Sequence, residues 1–261
     1  MHLSSPDTPP DSAAQRRADA RRVVRALQAS VAFVTLLMVV YVTQGLFDAR
    51  LFAVAPQVPA GLLGVLTAPL LHGSLEHIVA NGVSVLMLGT LAGSVYPRAT
   101  LAALPLLWLG SGLGAWLLGA PGSHHLGASG LTHGLMFLLF VLGVLRRDRP
   151  AIAAAMIAFM FYGGMLLTVL PREAGISWQS HLGGALGGVL AAWLFRHRDP
   201  RPVRRRYSWE IEEELEDEAR GMQAQFEPPS PDDVPVLWTR EATARDDSRG
   251  TVLPFRPRRE S

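Results

Sequence analysis

Between Ala26 and Phe195, 170 residues carry only ten charged side chains: Asp48, Arg50, Glu76, Arg98, Arg146, Arg147, Asp148, Arg149, Arg172 and Glu173. A water-soluble fold of that size exposes far more charge. The stretch therefore reads as the core of a membrane protein, and a single soluble domain is excluded. The remaining 91 of the 261 residues hold 36 charges, so the polar material lies at the two ends. Cysteine is absent, which excludes disulfides, thiolate metal sites and cysteine nucleophiles. The basic residues, all arginine, flank apolar segments instead of alternating with aromatics. That points to a lipid bilayer as partner and gives no indication of nucleic acid.

Uncharged apolar runs occur at Ala26–Phe47, Ile78–Tyr96, Ala99–Ala120, Ala128–Leu145, Ala151–Leu170 and Trp178–Phe195. At 1.5 Å per residue each reaches across a hydrocarbon layer of about 30 Å. The expected fold class is thus an all-α membrane protein with six transmembrane helices. The first run follows a polar stretch without a small-residue cleavage site, so it reads as a retained anchor. Arginines cluster before the first run, between the fourth and fifth, and after the sixth, while the opposite side holds Arg50 and Arg172. By the positive-inside bias both termini are expected in the cytoplasm.

This organises the chain into a polar N-terminus over 1–25, a membrane core over 26–196 and a charged tail over 197–261. Residues 49–71 are apolar but interrupted by Pro56, Pro59 and Pro69, which suits a loop at the outer interface or folded on the bundle. Within the tail, Glu210–Arg220 is patterned as an amphipathic helix and the remainder reads as disordered.

Polar residues at membrane depth are costly and usually functional. With both termini inside, the second, fourth and sixth runs all enter from the outer face. His77 and Asn81, Ser129 and His133, and His181 then lie at one depth, in the first turns of three different helices. His77 and Asn81 share a helix face, as do Ser129 and His133. Gly130 and Gly134 on the fourth run and Gly184 and Gly188 on the sixth form small-residue strips that let backbones approach closely. Such contact brings the Ser129 hydroxyl within hydrogen-bond reach of His181 as general base, the activation a serine nucleophile needs. Gly127-Ala128-Ser129-Gly130 sits where a loop becomes a helix, exposing the serine beside free backbone N–H groups. His77 and Asn81 supply further donors for an oxyanion. Neither Glu76 nor Glu173 is placed to complete a triad, so a Ser–His dyad is the economical reading. His124 and His125 read as plain loop residues. His72, Glu76 and His77 do not have the spacing of a zinc site, and the chemistry calls for no metal or cofactor.

These residues carry a resemblance. His72-Gly73-Ser74-Leu75-Glu76-His77-Ile78-Val79-Ala80-Asn81, Gly127-Ala128-Ser129-Gly130 and His181-Leu182-Gly183-Gly184-Ala185-Leu186-Gly187-Gly188 resemble, in order and span, the three signatures of the rhomboid family of intramembrane serine proteases. The resemblance covers about residues 26–196. It implies a serine endopeptidase that cuts the transmembrane segments of other membrane proteins near the outer face, with Ser129 as nucleophile, His181 as base, and His77 and Asn81 at the oxyanion. A catalytically silent, membrane-protein-binding relative typically lacks the serine or the histidine; this chain has both. All-arginine usage and a compact core suggest a bacterial inner-membrane protein. Two departures stand out: the first loop reads Leu62-Leu63-Gly64-Val65 in place of the family's Trp-Arg pair, and His133 occupies the position of a tyrosine that packs on the base.

Overall fold

In a computed structural model of the chain, residues 13–171, 175–200 and 208–226 are described. The chain divides into two compact units, Met1–Arg204 and Arg205–Ser261. In the first, α1 (Ala13–Thr43) is followed by 3-10 turns and the short α2 (Leu62–Thr67). Next come α3 (Leu75–Ser84) and α4 (Thr90–Val95), joined through a π turn at Val85–Gly89, then α5 (Pro97–Leu118) and α6 (Ser129–Arg146). α7 (Arg149–Tyr162), the single turn α8 (Met165–Thr168) and α9 (Trp178–Phe195) complete it. The second unit contains α10 (Ser208–Phe226), which covers and outruns the amphipathic stretch expected at Glu210–Arg220. The expected disorder of the tail beyond Phe226, and the arginines at 201–206, lie outside the described residues.

Every helix and strand element among the described residues is helical, as a bilayer requires of backbone that must satisfy its own hydrogen bonds. Four continuous helices, Ala13–Leu46, Leu75–Val95, Pro97–Leu118 and Ser129–Arg146, are long and apolar enough to cross a membrane, against the six expected. The fifth run was expected as one helix over Ala151–Leu170. It stops instead at Gly163-Gly164, where the chain tightens into i,i+3 bonds: Leu166 N–H donates to Gly163 O and Leu167 N–H to Gly164 O, each at 3.0 Å. The sixth run forms a helix with the expected bounds. Its first turn, Trp178-Gln179-Ser180-His181, is polar, and it is not among the four. Large apolar side chains such as Val42, Leu101, Met160 and Leu186 are exposed around the bundle, a belt too extensive for water and suited to lipid.

α9 packs against both α5 and α6, and α7 covers the far side of α6. Lipid tails are as apolar as leucine, so helices in a bilayer associate through close packing instead of hydrophobic exclusion. Glycines allow this here. A Cβ on Gly184 would run into the Gly130 carbonyl, and one on Gly188 into the Gly134 carbonyl. On the other side of α9, a Cβ on Gly183 would meet the Gly110 carbonyl. The core then fills with Leu88, Leu107, Leu138, Leu139 and Leu142 around Ala103.

At the opposite end of α6 from Ser129, a polar clasp holds the helix ends together. Arg146 is buried; its Nε donates to Asp148 Oδ2 at 3.0 Å, Nη1 to the Asp199 carbonyl at 2.9 Å and Nη2 to the Pro200 carbonyl at 3.0 Å. The Asp199 carboxylate accepts from the Arg98 and Ala99 N–H groups at 3.0 and 2.9 Å, capping α5. The guanidinium also lies over the Tyr96 ring, 5.3 Å from its centroid.

The glycine contacts generate a stability prediction. Gly184→Val forces α9 away from the α6 backbone and should lower the thermal unfolding midpoint in detergent, at a cost of about 1–3 kcal/mol. Gly164→Ala, at a helical φ of −58° with no neighbour within 4 Å, should unfold no earlier than wild type.

Candidate active site

Ser129 is the first residue of α6, preceded by Ala128 as N-cap with no side-chain capping bond. The serine hydroxyl is therefore not used as a cap. Its Oγ lies 2.8 Å from His181 Nε2, which is contributed by the first turn of α9. The other ring nitrogen, His181 Nδ1, is 3.0 Å from the backbone carbonyl of Thr168. A carbonyl only accepts, so Nδ1 carries the proton and Nε2 presents its lone pair to the hydroxyl. That tautomer is the one able to take a proton from Ser129.

The segment before Ser129 is fixed by backbone pairing with the first loop. Val54 and His125 exchange hydrogen bonds of 2.9 and 3.0 Å, and Gly127 N–H donates to Ala68 O at 2.9 Å. Gly127 has φ +115°, a conformation that favours glycine. A Cβ there would also lie 2.7 Å from His77 Nε2 and 3.6 Å from Asn81 Nδ2. The His77 ring and the Asn81 amide thus line the bare face of the loop immediately upstream of Ser129. Asn81 is buried, and its Nδ2 has no hydrogen-bond partner. A buried amide donor without an acceptor is costly unless something else accepts from it. Backbone N–H groups at the start of α6 add further donors in the same region.

His133, one turn into α6, stacks on His181 with ring centroids 3.9 Å apart and planes 13° apart. Its Nδ1–H donates to the Ser129 carbonyl at 2.7 Å, and its Nε2 lies 2.8 Å from Thr168 Oγ1. Of the residues singled out in the sequence, Ser129, His181 and His133 come into direct contact. Gly127 lies against His77 and Asn81, while Gly130, Gly184 and Gly188 set the helix spacing described above. Thr168 was missed. It belongs to no motif and sits in an apolar run, and only the proximity of the Gly163-Gly164 break marked its surroundings.

Two other histidines have structural partners. His72 is fully buried, its main chain clamped by the Gln44 side chain, which donates to His72 O at 2.9 Å and accepts from His72 N–H at 3.1 Å. Its Nε2 faces the Ala128 N–H at 3.4 Å. Burial, with His77 nearby, pushes the His72 imidazole down to about 4. His125, expected as a plain loop residue, instead connects elements: Nδ1 lies 2.7 Å from Ser177 Oγ, ahead of α9, and Nε2 2.9 Å from Ser123 Oγ. Burial and then His124 lower its affinity for a proton. Among the described residues no cluster of His, Asp and Glu is arranged to hold a metal.

Comparison with known proteins agrees in extent with the segment that builds this site. Residues 59–198 match the family model described as the Rhomboid domain. An uncharacterized protein of Mycobacterium tuberculosis is 40% identical over 176 residues, which cover 62% of this chain and 72% of that one. A protein of Mycobacterium bovis matches to the same degree. One of Mycobacterium leprae is 39% identical over 141 residues, covering 51% of this chain and 56% of that protein.

The buried His72 imposes a pH dependence. Its pKa is about 4 in the fold against 6.5 for a free imidazole, so below pH 6.5 the unfolded chain binds the extra proton. The stability it contributes is complete above about 6.5 and is lost as pH falls toward about 4. The unfolding midpoint in detergent should drop across that window, with a shallower slope in His72→Asn; an unchanged slope would assign the dependence to other groups.

Proposed function

Because the chain belongs to the rhomboid family, we propose that it is an intramembrane serine endopeptidase working through a Ser129–His181 dyad. The single observation that carries this reading is the 2.8 Å approach of Ser129 Oγ to His181 Nε2, with the ring tautomer set by the Thr168 carbonyl. His181 takes the hydroxyl proton as Ser129 Oγ attacks the scissile carbonyl, and returns it to the leaving amine. The resulting oxyanion is received by Asn81 Nδ2, the His77 ring and N–H groups at the start of α6. Water then hydrolyses the acyl-serine ester with His181 again as base. No carboxylate is needed as a third member, because a backbone carbonyl performs the orienting task at Nδ1.

The substrates are transmembrane segments of other membrane proteins. They reach Ser129 from the bilayer and are cut near the outer face, where six membrane-crossing segments with both termini in the cytoplasm would place the first turns of α6 and α9. The arginine distribution supports that orientation, and the mycobacterial relatives support a bacterial inner membrane. A silent binding protein is the weaker reading, since it has no use for a hydroxyl and an imidazole held in proton-transfer geometry at membrane depth.

Purified wild type should cleave a model transmembrane substrate and react with a fluorophosphonate probe. Ser129→Ala should do neither while unfolding at the same temperature. Cleavage by Ser129→Ala at a comparable rate would overturn the nucleophile assignment.

Asn81→Ala should lower turnover by about 10²–10³, the scale of one lost oxyanion donor, with little change in probe-independent folding. Wild-type turnover in that variant would remove Asn81 from the oxyanion site.

A further inference from the structure

Four hydrogen bonds link Ser129, His181, Thr168 and His133 into a closed ring. Ser129 Oγ meets His181 Nε2 at 2.8 Å, His181 Nδ1 meets the Thr168 carbonyl at 3.0 Å, Thr168 Oγ1 meets His133 Nε2 at 2.8 Å, and His133 Nδ1 meets the Ser129 carbonyl at 2.7 Å. Ser129 and Thr168 each take part through both a side-chain oxygen and a main-chain oxygen. The two imidazoles between them are stacked, so each is held by its face as well as by both nitrogens.

Proton counting gives the ring one direction. The Ser129 and Thr168 carbonyls can only accept, so His133 Nδ1 and His181 Nδ1 both carry hydrogen. A neutral His133 then has a lone pair at Nε2, and the Thr168 hydroxyl fills it. The hydroxyl has one other acceptor in reach, the Met165 carbonyl at 3.0 Å, the ordinary back-bond of a threonine in a helical turn. Packing holds Thr168 only in part: α8 is a single turn with no fully buried residue, set off from α7 by Gly163-Gly164, and Met165 is its side chain packed half-buried against the core. Its polar links to α6 and α9 add the directional attachment that this contact lacks.

We infer that Thr168 is a positioning residue of the active site, whose hydroxyl acts through His133 on the Ser129 main chain while its carbonyl acts directly on His181. The inference rests on the dyad reading. One residue thereby sets both members of the dyad against each other: a shift of Thr168 moves the His181 ring and, through His133, the start of α6 together. Misalignment of a reacting pair by a fraction of an ångström is expensive in rate and nearly silent in substrate binding.

The test is Thr168→Val, which keeps the carbonyl and the branched shape and removes only the hydroxyl. At matched fluorophosphonate-titrated concentration, kcat on a model transmembrane substrate should fall about tenfold or more with KM within about twofold, and Thr168→Ser should recover kcat to within about threefold of wild type. His133→Phe, which keeps a stacked ring but has neither nitrogen, cuts the same link independently and decides the matter if the valine variant does not fold. Combining it with Thr168→Val should cost no more than the worse single change, because both act on one connection. Unfolding midpoints are recorded for each variant. Wild-type kcat in Thr168→Val, or a serine variant no better than the valine one, overturns the inference while an inert Ser129→Ala leaves the dyad standing. An active Ser129→Ala removes the dyad and this inference with it.

Discussion

Direct backbone contact between α9 and its two neighbours is the constraint on which the rest of this molecule depends. Gly184 and Gly188 rest on the carbonyls of Gly130 and Gly134, and Gly183 on that of Gly110, so no side chain intervenes along the seam. Without hydrophobic exclusion between helices in lipid, such contact supplies both cohesion and register. The register is also the register of the site. Ser129 immediately precedes Gly130, and His181 stands three residues before Gly184. A slide of one helical turn along the seam would separate hydroxyl from imidazole by about 5 Å.

Alignment of α6 and α9 alone leaves the segment leading into Ser129 unsupported. The first loop supplies the support. Trp108 and Trp116 on α5 donate to Leu66 O and Val58 O at 3.1 and 3.0 Å, fixing the segment around α2 on the bundle. Val54 and Ala68 in that segment then pair with His125 and Gly127. His125 adds a link to Ser177, so the approach to the nucleophile is tied to the approach to the base. Four separate stretches of sequence, around residues 54–68, 108–116, 125–127 and 177, are thus tied together ahead of the nucleophile.

Much of this was legible in the sequence because it follows from periodicity and polarity. The helices at Ser129–Arg146 and Trp178–Phe195 agree with the apolar runs to within a residue. The Ser129–His181 approach could be anticipated from small-residue strips and a shared depth. The break after Tyr162 was hidden because its two glycines lie in an otherwise uninterrupted apolar run, and a bilayer-like composition hides a change in backbone geometry. Thr168 and His125 were not legible for a related reason: each acts through a partner distant in the chain, Thr168 on residues 133 and 181, His125 on residues 54 and 177. Arg146 was a different case. Its charge read as a topology signal, whereas the side chain is folded inward onto three carbonyls and a carboxylate.

That inward-turned arginine fastens the bundle at the end remote from the dyad. It gathers the end of α6, the start of α7 and the segment after α9, while Asp199 holds the start of α5, all about 26 Å of helix away from Ser129. Parting those ends exposes a buried cation and strips several backbone groups of their partners. The Ser129 end of the same helices is held differently, by the bare contact of Gly184 on the Gly130 carbonyl and by hydrogen bonds among neutral groups. The seam between α6 and α9 is thus fastened at both ends, by a buried cation at one and by bare backbone at the other, which leaves hydroxyl and imidazole little room to drift apart.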